Sequence, residues 1–189
     1  MTTEQATFLR DFLIQRVEEA HIVTMRVLSS IPDSMGDYRP SAKSRTARDL
    51  ARHIIDTELL LLNGIVRGSF DRDETERDDL PFHMHELTDY YEDQFTRSVE
   101  AIRKMSVKKL TAYLSFYGVF RHPAVVFLTF LHDHTVHHRG QLSAYAREVG
   151  SKISMLKGPN GDMVSINQPA MRYLWTERQW EPVALANAA

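Results

Sequence analysis

Residues 132–141 read HDHTVHHRGQ and carry four of the chain's nine histidines. Imidazole serves as an acid, a base, a hydrogen-bond partner or a metal ligand. On a helix, successive residues are separated by about 100°. With His134 at zero, His138 falls at about +40°, Phe127 and Tyr145 at about +20°, and Gln141 at about −20°. Leu131 and Val149 fall at about +60°, so His134 and His138 share the apolar stripe, one turn apart. His132 points away, at about 160°, and His137 lies at the edge of the stripe, at about −60°. Inward histidines at i and i+4 converge on one ion, with bonds of about 2.0–2.1 Å to zinc. Helical HExxH sites use the same spacing, but position 135 is Thr and the Glu of that motif is absent. Spacing alone leaves two readings open, a metal site and a pair of core histidines satisfied by hydrogen bonds.

His53, in LARHIIDTELL, adds a third inward imidazole. Around it Thr57, Leu60, Leu50 and Gly64 fall within about 60° on the same helical face. Three inward histidines on two helices are costly to bury without partners. A divalent ion relieves that cost and keeps a fourth coordination position open. Asp49 and Asp56 flank the stripe, either as carboxylates that orient a ligand or as surface charges. Gln141 shares the ligand face, to bond near the site or to satisfy a buried backbone group. Arg139, at about 140° on the same wheel, is expected to face solvent or a neighbouring subunit. Gly140 costs about 1 kcal/mol relative to Ala inside a helix, which close helix–helix approach would compensate. The chain has no cysteine, so no thiolate is available as ligand or nucleophile. Any thiol must arrive as a substrate.

Four long amphipathic patterns position these residues. The first spans about 4–30, with Phe8, Phe12, Val17, Ala20, Val23, Val27 and Leu28 as its stripe and Pro32 beyond its end. A long turn-rich loop follows. The second spans 46–67, with Thr46 as cap and Gly68 as stop. The charged segment SFDRDETERDDLP reads as a solvated loop. The third spans 86–105, with Leu87, Tyr90, Tyr91, Phe95, Val99 and Ile102 inward. SVKKLTAYLSFYGVFRH allows a short strand or an irregular covering segment. The fourth starts near Pro123 and runs to Val149, capped by Gly150. The stretch after it reads as an irregular extension with a short helix around 170–180. The fold class is therefore all-α, a four-helix bundle with a long loop between the first two helices. We read 1–189 as one domain, with the bundle over about 4–150 and an extension over 151–189.

Composition narrows the function. The 189 residues are 43% hydrophobic and 25% charged, with net charge −2. Scattered basic residues give no footprint for nucleic acid. The N-terminus lacks the pattern of a signal peptide, and no apolar run is long enough to span a bilayer. A cytoplasmic protein without membrane or nucleic-acid partners is the simplest expectation.

His53, followed by HTVHHRGQLSAYAREVG at 134–150 and KISMLKGPNGD, resembles the DinB/YfiT-like superfamily of bacterial metal-binding helical bundles. The shared pattern is HxxxH followed by RGQ, an apolar stretch with Tyr and a terminal Gly. The resemblance covers residues 1 to about 160. It implies an up-down-down-up bundle, often a homodimer, with a divalent metal on His53, His134 and His138. Zinc or nickel suits three imidazoles, and iron does also. Characterised members include enzymes that use a low-molecular-weight thiol, such as mycothiol-dependent maleylpyruvate isomerase and mycothiol- and bacillithiol-dependent S-transferases. Three functions follow as expectations: a thiol-dependent transferase or isomerase acting on a small electrophile, a metal-dependent hydrolase, and a non-catalytic binding protein of the stress response.

Overall fold

The computed structural model describes residues 1–71 and 80–153, together with the backbone of residues 171–176 and 179–184. Helix α1 (Thr3–Ser29) opens with a capping box. The Thr2 hydroxyl accepts from the Gln5 N–H at 3.2 Å, and the Gln5 side chain accepts from the Thr2 N–H at 2.9 Å. Residues 30–46 form the long loop, with one 3-10 turn at Asp33–Met35. Helix α2 (Ala47–Arg67) is capped by Thr46, whose hydroxyl accepts from the Asp49 N–H at 3.0 Å. It stops at Gly68, whose φ of 90° is left-handed.

Helix α3 (Met84–Arg103) borrows its cap from the α1–α2 loop. Asp33 Oδ1 accepts from the Met84 N–H at 2.7 Å, and Arg48 donates to that oxygen at 3.1 Å. These contacts hold the Asp33 carboxyl down at about 2, the Met84 N–H contributing most. The segment expected as strand or irregular cover contains both helix and strand. It forms a short helix α4 (Val107–Thr111) and an antiparallel hairpin, β1 (Tyr113–Phe116) with β2 (Phe120–Pro123). The last long helix, α5 (Phe127–Glu148), starts later than its sequence suggests. Pro123 ends β2, and the Ala124 N–H reaches back to the Ala112 carbonyl at 2.8 Å. A 3-10 turn at Ala124–Val126 then leads into α5. At its other end Ser151 N–H bonds the Ala146 carbonyl and Gly150 N–H bonds the Arg147 carbonyl, each at 2.9 Å. That is a Schellman stop, with Gly150 at φ 80°.

Side-chain pairs fix the helix directions. Near the start of α1, Arg10 donates to the Arg103 carbonyl at the end of α3 (3.1 Å), while His21 later in α1 meets Glu92 early in α3 (2.8 Å). These two helices are antiparallel. Arg48 meets the Phe82 carbonyl ahead of α3 (2.7 Å), and Asn63 meets Ser98 (2.8 Å), so α2 and α3 are parallel. The ring of Phe70, just past α2, stands 4.5 Å from that of Phe127 at the start of α5, so α2 and α5 are antiparallel. The order is up-down-down-up. Each long helix packs on two neighbours: α1 on α3 and α5, and α2 on α3 and α5. Thus α1 and α2 stand diagonally, and the long loop crosses one end of the bundle. No helix among the described residues is long and apolar enough to cross a membrane.

Three expectations about the elements are corrected. Phe8 and Phe12 are 71% and 51% exposed and stack on each other at 6.1 Å. The inward stripe of α1 instead runs through Ala6, Leu13, Val17, Ala20, Thr24 and Val27. The short helix expected around 170–180 is a hairpin, β3 (Met171–Thr176) paired antiparallel with β4 (Gln179–Ala184). Its Tyr, Leu, Trp and Val content and regular pairing favour strands over the expected helix. Gly140 makes no close approach. A Cβ there meets nothing within 4 Å among the described residues. Close approach occurs at Gly64, where a Cβ would run into the Phe70 ring. The solvated-loop reading of SFDRDETERDDLP falls largely outside the described residues.

Candidate metal centre

Helices α2 and α5 lie side by side and antiparallel, which sets the second turn of α2 against the middle of α5. His53, His134 and His138 meet there, all three half-buried. One nitrogen from each lies within 4.8 Å of the others, and no carboxylate among the described residues joins the group. The ring centroids are 4.9 Å (His53–His134), 4.7 Å (His53–His138) and 4.4 Å (His134–His138) apart. His53 Nε2 and His134 Nε2 are separated by 3.2 Å. Two ligands on a tetrahedral zinc, at bonds of about 2.0–2.1 Å, stand about 3.3 Å apart.

The outer nitrogens also fit this use. His138 Nδ1 donates to Gln141 Oε1 at 2.7 Å, which leaves the Nε2 lone pair free. His53 Nδ1 meets the Thr57 hydroxyl at 3.4 Å. His134 Nδ1 is buried without a hydrogen bond among the described residues. Burial, with the charges of His138, His53, His137 and Arg45, pushes His134 down to about 4. Burial first, then Arg45 and His138, lowers His53, while Asp56 opposes them. Neutral imidazole is the ligating form. One N–H between His53 and His134 satisfies those two atoms alone. The three crowded rings fit a divalent ion better than they fit a hydrogen-bonded pair.

The other sequence candidates divide. Gln141 bonds a member of the cluster, as its place on the face suggests. Asp56 acts electrostatically on His53. Asp49 is exposed at the first turn of α2. His137 is exposed, its ring 4.8 Å from that of His138, and His132 turns to Asp133 at 3.3 Å.

Arg139 is not at the surface. It is 5% exposed and donates to the Ala20 carbonyl at 3.1 Å. Because α5 packs on both α1 and α2, the face that carries Arg139 is a second buried face. Beside it lies a polar cluster that sequence reasoning missed. Glu58 accepts from the Thr135 hydroxyl at 2.6 Å, and Tyr91 is fully buried nearby. Among the described residues neither Glu58 Oε1 nor the Tyr91 hydroxyl has a partner at ordinary hydrogen-bond geometry, although the two groups act on each other. Burial pushes the Glu58 carboxyl up to about 7, against Thr135, Tyr91 and Arg139. His21, stacked on Phe95 at 3.7 Å, is lowered by burial while Glu92 opposes this. The missed signal was an acid within an apolar α2 run and a polar i, i+4 pair, Thr135 and Arg139, one step from the histidines.

The profile of the DinB family matches residues 1–168. The chain belongs to the DinB family. Within similar proteins, an uncharacterised protein of Bacillus subtilis (strain 168), YjoA, is 22% identical over 130 residues, 68% of this chain and 82% of that protein. The crystal structure of that DinB-like protein superposes with a TM-score of 0.66 at 19% identity, over 77% of this chain and 97% of the other. A DinB-like protein from Bacillus cereus ATCC 10987 gives 0.65 at 25% identity, over 77% and 95%. These likenesses show the DinB helical-bundle fold.

Proposed function

We propose that this DinB-family chain holds a divalent transition metal on His53, His134 and His138 and acts as a metal-dependent transferase. Its partners in this reading are a low-molecular-weight thiol and a small electrophile. The observation that carries the reading is the convergence of three half-buried imidazoles on one point. A zinc, nickel or iron ion held there would supply Lewis acidity that favours the thiolate form of a thiol. The chain's residues do the rest. Gln141 accepts from the outer nitrogen of His138 and leaves its Nε2 lone pair free, and the Thr57 hydroxyl stands 3.4 Å from the outer nitrogen of His53. Burial keeps His134 and His53 unprotonated. With no cysteine in the chain, the attacking sulfur belongs to a substrate.

Hydrolysis would need a base beside a bound water. The two candidate bases, Asp49 and Asp56, stand outside the histidine group among the described residues. The test is turnover of a model electrophile by metal-loaded protein with a panel of thiols, wild type against His134→Ala. Thiol-dependent turnover lost in the variant is the expected result. Equal rates overturn the reading. Turnover without thiol points to hydrolysis, and tight binding without turnover to a ligand-binding protein. A homodimer is part of the proposal, checked by sedimentation equilibrium.

A further inference from the structure

The seam between α2 and α5 continues past the histidines as an apolar surface. Phe130 stands one helical turn before His134 on α5, which sets their Cβ atoms about 5–6 Å apart. Helical side chains lean toward the helix N-terminus, so the His134 ring leans toward Phe130. The Phe130 side chain is 39% exposed. One face of β2, carrying Phe120 and His122, supports it from the far side, with ring centroids at 5.0 and 5.5 Å. Across the seam, α2 supplies Leu60. His53 meets His134 and His138, and Glu58 meets Thr135. Continuing that antiparallel pairing brings Leu60 level with Phe130, about 10 Å of helix rise beyond His53. Leu60 is half-buried and lies at about −20° from His53 on the α2 wheel. The polar neighbours fall outside this pair. On α2, Asp56 and Asn63 lie at about −60° and −80°, and Asn63 accepts from Ser98 of α3 at 2.8 Å. On α5, His137 and Asp133 lie at about −60° and −100° from His134, beyond Phe130 at about −40°.

We propose that Phe130 and Leu60 form an apolar subsite beside the three-histidine centre, so that the small molecule bound there carries an aromatic or branched aliphatic group. A flat hydrocarbon laid against the open side of Phe130 removes both surfaces from water and gains ring contacts. Leu60 closes the subsite from α2. The reacting end of the ligand then lies over the histidines and its apolar end lies one turn along α5. Phe120 and His122 hold the Phe130 ring in place, so the hairpin β1–β2 takes part in specificity without touching the centre. This inference rests on the metal reading above.

The test uses the full chain loaded with Co(II), whose visible spectrum reports ligand exchange. The probes are imidazole and 4-phenylimidazole, which bind a metal through the same kind of nitrogen and differ by one phenyl group. The readout is the ratio of their affinities. Because the metal–nitrogen bond is common to every variant, the change in ratio isolates the subsite. Phe130→Ala is expected to reduce the preference for 4-phenylimidazole about fivefold and to leave imidazole unaffected. Leu60→Ala should reduce it less, and Phe130→Tyr, which keeps the ring, should retain it. An unchanged ratio in Phe130→Ala overturns the subsite while leaving the metal centre standing. Failure to take up cobalt in a His134-dependent way overturns the metal reading, and the subsite with it.

Discussion

Glu58 and Thr135 join α2 to α5 through a buried hydrogen bond of 2.6 Å, one residue from His134. Thr135 is the donor, so the bond serves Glu58 whether or not its carboxyl is ionised. It sets the register in which His53 faces His134 and His138. Thr135→Val keeps the shape and removes the donor, leaving Glu58 Oε2 without it. The expected loss is about 1–3 kcal/mol in urea unfolding. A variant as stable as the parent would show that the bond does not hold the register.

The same acid makes stability depend on pH. In the fold its carboxyl titrates at about 7, raised from 4.5 by burial. Between these two values the folded chain binds the proton more tightly than the unfolded one. Stability from Glu58 is therefore full below about 4.5, falls as pH rises toward 7, and is flat above it. Glu58→Gln should remove this slope, which amounts to a few kcal/mol at most. Melting temperatures of both proteins from pH 5 to pH 8 check it, and parallel curves would contradict it.

Metal retention separates the ligands from their supports. His53→Ala and His134→Ala should each lower metal content to background in untagged protein. Gln141→Ala should weaken affinity by about 10–100-fold if, as proposed, the three histidines hold the ion and Gln141 only orients His138. Elemental analysis and chelator competition measure both effects. Full retention in His53→Ala would remove His53 from the centre.

Two helical glycines should respond oppositely to alanine. Gly140 has open space around its missing side chain, so Gly140→Ala should stabilise the protein by about 1 kcal/mol. At Gly64 a methyl group meets the Phe70 ring and stands 3.1 Å from the Ser69 carbonyl oxygen. Gly64→Ala should therefore destabilise by about 1–3 kcal/mol. Thermal melts of the two variants decide it, and shifts of the same sign would refute this packing.

The histidine face was legible because a helix converts spacing into direction, and α2 and α5 are regular helices. Gln141 followed from the same rule. Arg139 did not, because its charge suggests solvent, and one helical wheel cannot tell that α5 is covered on two sides. Phe8 and Phe12 failed in the opposite sense. They are large and apolar, yet the neighbours of α1 lie on its other face. Glu58 lay hidden because a lone acid in an apolar run also suits a surface position. The terminal hairpin was missed because the sequence there carries no Asn-Gly, Asp-Gly or Gly-Gly pair to announce it.

The packing of α5 against α2 also bears on how the protein is made. His53 and His134 are 81 residues apart in the chain, and they become neighbours only when α5 docks against α2. A nascent chain emerging from the ribosome presents His53 long before its partners exist. In the proposed metal reading, capture through all three imidazoles would await the last long helix, and metallation would report completion of the bundle.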